Sequence, residues 1–156
     1  MIEKKKIVIL GKLESKYYAP FNDPNCEIWS MNKHNDEEMI PRVDKWFDLH
    51  VDPGKKNADF TRDNFPFDLC HELVHGQRFC STSAYLIAYA ILCGATDIEI
   101  YGMRFTPDHP RRARELENVR QLIFFGWGKG INITAPEDYM YLIPEHVFDD
   151  THDFDQ

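Results

Sequence analysis

The chain has 156 residues, of which 43% are hydrophobic and 13% aromatic, and its formal net charge is −8. This length suits one domain with one core, and the hydrophobic fraction excludes extensive disorder. The negative charge argues against general nucleic-acid binding, which needs clustered positive charge, and leaves only local basic patches at Lys4–Lys6 and at Arg111, Arg112 and Arg114. No apolar run approaches the length of a membrane span, and the run at residues 7–10 is too short for a signal peptide. We therefore expect a cytoplasmic protein that does not contact membranes.

Strands alternate with helices along the chain. The apolar run Ile7–Leu10, closed by Gly11, predicts a buried parallel strand. The same patterns predict further strands at Cys26–Ser30, Lys45–Leu49, Arg78–Cys80, Asp97–Tyr101 and Ile131–Thr134, and helices at Pro66–His75, Thr82–Cys93 and Pro110–Trp127. This order predicts an α/β fold, a single Rossmann-like, doubly wound, mainly parallel sheet with helices on both faces. The domain would span residues 1–144, and an acidic C-terminal tail would follow at 145–156.

The cysteines show no CxxC pairing, so we expect reduced thiols rather than a redox or zinc motif. Cys80 and Cys93 fall in a predicted strand and a predicted helix, where free cysteine behaves as a small hydrophobic residue.

Three small hydroxyl residues, Ser81, Thr82 and Ser83, stand where a predicted helix begins. A helix N-terminus offers unpaired backbone N–H groups and the positive end of the helix dipole, which together suit a phosphate. The hydroxyl groups can add further donors. The alternative is that one of them only caps the helix, because serine and threonine are favoured at that position.

Ligands of doubly wound sheets bind beyond the carboxyl ends of the strands. The residues expected there, in addition to the hydroxyl turn, are Gly11, Lys12, Ser15, Asn32, Tyr101, Gly102 and Arg104. Gly11 would let the backbone approach a ligand, or would serve only as a turn residue. Asn32 could contact a base or ribose through its amide, or close its own turn. The GxGxxG and Walker A patterns are absent, so NAD binding has no specific support.

Titratable side chains at the same edge are candidates for acid–base catalysis. Asp48 with His50 follows the third strand, and Asp108 with His109 precedes the last helix. The arginines Arg111, Arg112 and Arg114 could hold phosphate, or could form the solvent face of that helix in pairs with Glu115 and Glu117.

The segment His71-Glu72-Leu73-Val74-His75 matches the zinc-peptidase pattern HExxH. Its predicted helix is short, Gly76 follows at once, and no third ligand stands at a usual downstream spacing. We therefore expect no metal and no cofactor, and a zinc hydrolase is the least favoured alternative.

The segment Phe79–Phe105 combines a small polar turn, a helix and a strand followed by Gly102-Met103-Arg104-Phe105. It resembles the central motif of the bacterial family 42 sialyltransferases, where such a turn, helix and strand, ending near Gly-(Ile/Met)-Asp-Phe, build the CMP-sugar site. Ile7–Ser15 resembles the strand and phosphate loop of that family, and Ile28–Asn32 its strand with a nucleotide-contacting asparagine. Leu122–Leu142 is similar to its final helix and strand.

The chain is equally similar to small Rossmann-like proteins of tailed bacteriophages, which share the patterns Trp-(Gly/Ser)-x-Asn, Trp-Phe-(Asp/Glu)-x-His and Tyr-Gly-(Val/Met). The sialyltransferases carry a lid with a catalytic histidine after the Gly-x-Asp-Phe strand. Here Arg104 replaces the aspartate, and the run from Thr106 to Pro110 is too short for a lid, with His109 as the nearby histidine.

These resemblances imply a protein that binds a small nucleotide or nucleotide-sugar, with a CMP- or UDP-type donor, and that acts as a glycosyltransferase-like enzyme. His109 or Asp48 would be the base. The alternative is a non-catalytic nucleotide-binding phage protein that sequesters a signal or modulates host defence, and that works in the host cytoplasm. A homo-oligomer is compatible with either function.

Overall fold

A wholly parallel β-sheet forms the centre of the structure, a computed structural model that describes residues 3–33, 39–103 and 109–136. Its strands are β1 (Lys6–Leu10), β2 (Cys26–Met31), β3 (Lys45–Asp48), β4 (Phe60–Thr61), β5 (Asp97–Tyr101) and β6 (Asn132–Thr134). Their order across the sheet is β4-β3-β2-β1-β5-β6. The chain thus adds strands β2, β3 and β4 on one side of β1 and then strands β5 and β6 on the other side. This is the doubly wound, Rossmann-like arrangement.

The central strand β1 is apolar along its whole length because both of its faces are covered. Ile7 and Ile9 pack in one core, and Val8 and Leu10 pack in the other, all without exposed surface. Burying each such side chain contributes roughly 1.5–3 kcal/mol to folding. An uninterrupted apolar run is therefore what a buried parallel strand requires.

The two faces of the sheet carry different kinds of helix. The face of Ile7 and Ile9 is covered by helices α1 (Phe67–Leu73), α2 (Thr82–Leu92) and α3 (Pro110–Gly128). The opposite face is covered by the 3₁₀ helix Glu14–Tyr18 and by loops that contribute Ala19 and Ile40. The predicted α/β class with a single Rossmann-like parallel sheet is confirmed. The described α-helices share one face, and the helix on the other face is the 3₁₀ helix.

Two local predictions are wrong. Arg78–Cys80 does not form a strand, because no neighbouring strand pairs with it in the described part of the chain; Phe79 is nevertheless buried in the core. Cys80 is exposed rather than a core residue. The edge strand β4 has only two residues, too few for a sequence pattern, and the sequence did not predict it.

The carboxyl ends of β1 and β5 meet where the strand order reverses, because these strands are neighbours in the sheet. Such a reversal opens a crevice that binds ligands in doubly wound folds. None of the helices within residues 3–33, 39–103 and 109–136 combines the length and the apolar character that crossing a membrane requires.

Candidate functional site

A cavity of about 700 Å³ opens at the carboxyl ends of the strands. This volume lies in the range of roughly 300–1,000 Å³ that is typical of small-molecule sites. Its walls combine backbone turns, basic side chains and aromatic rings: Gly11, Lys12, Leu13, Met31, Asn32, Leu49, His50, Val51, Arg62, Phe67, Phe79, Cys80, Ser81, Thr82, Ser83, Tyr85, Gly102, Met103, Arg111, Arg112 and Glu115.

The first turn of helix α2 forms one wall. Ser81 is its N-cap, and the Ser81 hydroxyl accepts a hydrogen bond of 3.3 Å from the N–H of Ala84. The Ser83 hydroxyl is buried and donates to the sulfur of Met31 at 3.5 Å. The N–H groups of Thr82 and Ser83 have no acceptor among the described residues, because the helix itself supplies none at this position. The backbone, more than the three hydroxyls, is therefore free to bind an anion.

The loop after strand β1 and the loop after strand β5 cross at Gly11 and Gly102, where the strand order of the sheet reverses. The N–H of Gly11 donates to the Tyr101 carbonyl at 2.7 Å, and the N–H of Leu13 donates to the Gly102 carbonyl at 3.0 Å. A Cβ on Gly11 would overlap the Gly102 carbonyl oxygen. Gly11 is thus required for the contact between two loops, and both glycines line the cavity.

Asn32 lies on the cavity wall with a left-handed backbone, at φ 58°. Its N–H donates to the Phe47 carbonyl at 2.8 Å, and its own carbonyl accepts from the indole N–H of Trp46 at 2.7 Å. Its side-chain oxygen is buried without a hydrogen-bond partner in the described residues. A buried amide atom without a partner carries a desolvation cost of about 1–3 kcal/mol, which a ligand can relieve.

Basic side chains surround the cavity. Arg111 and Arg112 bond the nearly buried carboxylate of Glu115, at 3.3 and 3.1 Å, and keep most of their own surface exposed. Both arginines thus pair with Glu115, as one alternative from the sequence had it, and both also line the cavity. That they hold phosphate stays a prediction. Arg62 was not predicted; its Nε donates to the Leu49 carbonyl at 3.3 Å. Only the fold of the loop before helix α1 brings Arg62 here, so no local pattern could have revealed it.

Asp48 and His50 form a hydrogen-bonded pair after strand β3. Asp48 is fully buried and does not line the cavity, whereas His50 does. Nδ1 of His50 lies 2.7 Å from Oδ1 of Asp48. Burial by itself raises the pKa of Asp48, but hydrogen bonds from the Lys55 N–H and from His50 outweigh it and hold the pKa below its usual value.

The aromatic wall contains Tyr85, whose hydroxyl lies 2.8 Å from Nε2 of His71 and accepts from the Phe79 N–H at 3.3 Å. Burial raises the pKa of Tyr85, so its hydroxyl stays neutral at physiological pH. Its ring also makes T-shaped contacts with Phe67 and Phe79, at centroid distances of 5.0 and 5.2 Å. These contacts give one part of the cavity an apolar, aromatic surface.

The HExxH segment does not adopt the geometry that a zinc site needs. Helix α1 ends at Leu73, and His75 lies beyond it with a left-handed backbone, at φ 59°. The two imidazoles therefore do not share one helical face, and His71 is bonded to Tyr85. No group of three potential metal ligands occurs within residues 3–33, 39–103 and 109–136.

Several predicted residues lie away from the large cavity. The buried Ser15 hydroxyl accepts from the Gly102 N–H at 2.7 Å and so helps to hold the crossing of the two loops. Ser15 and Tyr101 line a second cavity of about 340 Å³, and the Tyr101 hydroxyl donates to Glu99 at 2.7 Å. His109 is exposed at the N-cap of helix α3, outside both cavities. Arg104, Asp108 and the acidic tail lie outside the described residues.

No protein-family model matches the chain. No curated protein matches it either. Among solved structures, it is similar to the sialyltransferase CST-II in complex with a trisaccharide acceptor and CMP, at 12% identity and a TM-score of 0.45, over 83% of this chain and 80% of that one. It is also similar to CstII from Campylobacter jejuni in complex with the substrate analogue CMP-3FNeuAc, at 14% identity and a TM-score of 0.47, over 84% and 79%. With TM-scores below 0.5, these similarities carry no argument about family or activity.

Proposed function

We propose that the large cavity binds a nucleotide or nucleotide-sugar, with a CMP-type donor, and that the protein is glycosyltransferase-like. The observation that carries this proposal is the meeting of unpaired N–H groups at the start of helix α2 with basic side chains around one cavity. Both features favour a phosphate, the first through the helix dipole and the second through charge.

The rest of the wall suits the other parts of such a ligand. The Asn32 amide offers a polar contact for a base or ribose, and its side-chain oxygen lacks a protein partner among the described residues. Phe67, Phe79 and Tyr85 offer aromatic surface against which a ring can stack. A ligand with an anionic group at one end and a ring at the other would contact both the basic part and the aromatic part of the wall. This division supports a nucleotide over a simple inorganic anion.

The second candidate is a nucleotide-binding protein without catalysis. The connection from strand β5 to helix α3 spans only residues 102–109, which favours a site without an inserted lid. Product analysis separates the two candidates, because a binder leaves a nucleotide-sugar intact and an enzyme releases the free nucleotide.

Calorimetric titration with CMP, UDP and their sugar conjugates tests the binding site by comparing the affinities of wild type and Thr82→Pro. Thr82 is the first residue of helix α2, where proline is tolerated, and Ser81 before it is extended, at φ −140° and ψ 150°. The change deletes one N–H donor and keeps the helix. Losing a hydrogen bond to a charged phosphate costs about 1.5–3 kcal/mol, so we expect about 10- to 100-fold weaker binding.

Thr82→Ala is the matched control, because it removes the hydroxyl and keeps the N–H. Arg112→Gln and Arg114→Gln form a second pair, since both lie on helix α3 but only Arg112 lines the cavity. Only the first of that pair should weaken binding. Equal nucleotide affinity in Thr82→Pro and wild type would show that no phosphate binds at this turn. A wild-type protein that binds none of the panel would overturn the proposal.

A further inference from the structure

The end of strand β3 holds a histidine–aspartate pair that nucleotide binding does not itself require. The Asp48 side chain has 0% exposed surface, and the His50 side chain has 57% and lines the cavity. An exposed histidine tied to a fully buried carboxylate is the arrangement in which one ring nitrogen is fixed and the other is available.

The carboxylate of Asp48 is fully engaged on the protein side. Oδ2 accepts from the N–H groups of Gly54 and Lys55, at 2.8 and 2.9 Å. Oδ1 accepts from the His50 N–H at 3.3 Å and lies 2.7 Å from Nδ1 of the same residue. An ionised carboxylate only accepts hydrogen bonds, so Nδ1 of His50 must carry the hydrogen.

In the neutral imidazole the other ring nitrogen, Nε2, then carries a lone pair. It has no hydrogen-bond partner among the residues that the structure describes. Since Nδ1 is held by buried Asp48 and the side chain is 57% exposed and lines the cavity, Nε2 is the ring nitrogen left for a ligand. His50 shares the cavity with Thr82 and Ser83, whose N–H groups are free to bind phosphate.

We propose that His50 is the proton acceptor for a hydroxyl nucleophile in this cavity, and that Asp48 is a positioning residue for it. This inference rests on the proposed function. The hydroxyl of water or of an acceptor alcohol attacks the sugar carbon that carries the nucleotide phosphate. A new carbon–oxygen bond forms there, and the bond from that carbon to the phosphate oxygen breaks. The hydroxyl proton moves to Nε2, and the electron pair leaves with the phosphate.

The first test measures nucleotide release from CMP-N-acetylneuraminic acid and from UDP-glucose, with water alone and with lactose. A general base contributes about 100- to 10,000-fold, so His50→Ala should lower kcat by at least about 100-fold with little change in KM. Added imidazole should restore part of the lost rate, which it would not do if His50 only held its loop. Loss of turnover in His109→Ala instead of His50→Ala would overturn the inference.

Two measurements separate this inference from the proposed function. Calorimetry with CMP should give similar affinities for wild type and His50→Ala; absence of binding in both would refute the proposed function. Binding without nucleotide release above the buffer rate would refute the inference and favour the non-catalytic candidate, whereas nucleotide binding by the cavity would stand. Nitrogen-15 spectra of the wild type should show His50 with hydrogen on Nδ1, and Asp48→Asn should change this tautomer. Hydrogen on Nε2 in the wild type would also refute it.

Discussion

At the scale of single residues, Cys80 is the thiol most accessible to reagents. It is exposed and lines the cavity immediately before Ser81, and its sulfur lies 3.2 Å from the side-chain oxygen of Asn118. Cys26 and Cys70 are buried, and Cys93 is half-buried. Burial, with a smaller contribution from Cys93, raises the pKa of Cys70 to about 12, which keeps that thiol protonated and inert.

Cys80 therefore reports on occupation of the cavity. We expect one fast-reacting thiol with Ellman's reagent, and we expect Cys80→Ser to abolish that phase. If nucleotide covers Cys80, a concentration ten times the Kd should slow the phase by about tenfold, because only free protein reacts. Mass mapping after brief alkylation identifies the labelled residue. Labelling at Cys93, or a rate that nucleotide leaves unchanged, would contradict this prediction.

The sequence allowed us to predict which residues lie at the rim of the sheet, but not which other residues their side chains contact. Gly11, Asn32 and Ser81–Ser83 follow or precede regular elements, so their location at the rim could be predicted. The capping role of Ser81 is local and was one of the two alternatives from the sequence. The contact between Ser83 and Met31, in contrast, depends on packing between helix α2 and strand β2. Such contacts join residues far apart in sequence, and no local pattern encodes them.

At the scale of elements, the crossing of Gly11 and Gly102 sets the geometry of the site. A Cβ on Gly102 would lie 2.9 Å from the Gly11 oxygen and 3.0 Å from the Leu13 oxygen, and Gly102 has φ +74°. Both neighbours are backbone atoms held by hydrogen bonds, so neither can move without separating the loops. The same contact joins the loops that follow strands β1 and β5, the two neighbouring strands at which the strand order reverses.

Gly11→Ala and Gly102→Ala should each destabilise the fold. Overpacking and left-handed strain each cost about 1–3 kcal/mol, so the midpoint of urea unfolding should fall clearly at an unchanged m-value. Gly128→Ala is the matched control: its Cβ meets nothing within 4 Å and it ends helix α3. That variant should be as stable as wild type or slightly more so. A Gly11→Ala protein of wild-type stability would show that the loops do not cross this closely.

The predicted elements agree best with the structure where burial dictates the pattern. Asp97–Tyr101 has the predicted bounds, and strand β1 and helix α3 differ from prediction by one residue at one end. Strand β4 was missed because pairing with β3, through Phe47 with Phe60, defines it rather than any run of its own. The 3₁₀ helix Glu14–Tyr18 was missed because its burial depends on the sheet face beneath it.

At the scale of the whole molecule, charge is unevenly distributed. The chain carries a formal charge of −8, yet Lys12, Arg62, Arg111 and Arg112 line the large cavity, with Glu115 as its acidic member. Such a local concentration of positive charge in an acidic protein attracts small anions while the remaining surface repels extended polyanions. The overall charge and the candidate ligand are therefore compatible.

Asp48 links this electrostatic pattern to the stability of the fold. The pKa of Asp48 is lowered in the folded state, despite the opposing effect of burial, by hydrogen bonds from Lys55 and His50. A carboxyl with a lowered folded-state pKa stabilises the protein above its unfolded pKa of about 3.9. That stabilisation disappears as the pH falls through the folded-state pKa, because the protonated acid no longer accepts these hydrogen bonds.

The free energy of unfolding should therefore differ between wild type and Asp48→Asn in a pH-dependent way. Near pH 7 the variant should be about 2 kcal/mol less stable, since it loses hydrogen bonds to a charged group. The difference should shrink as the pH is lowered below the unfolded-state pKa of about 3.9 and through the folded-state pKa, where wild type also loses the charge. Urea unfolding at a series of pH values measures both curves, and subtraction removes the contribution of the other carboxylates. A difference that stays constant across this range would mean that Asp48 is not ionised in the folded protein.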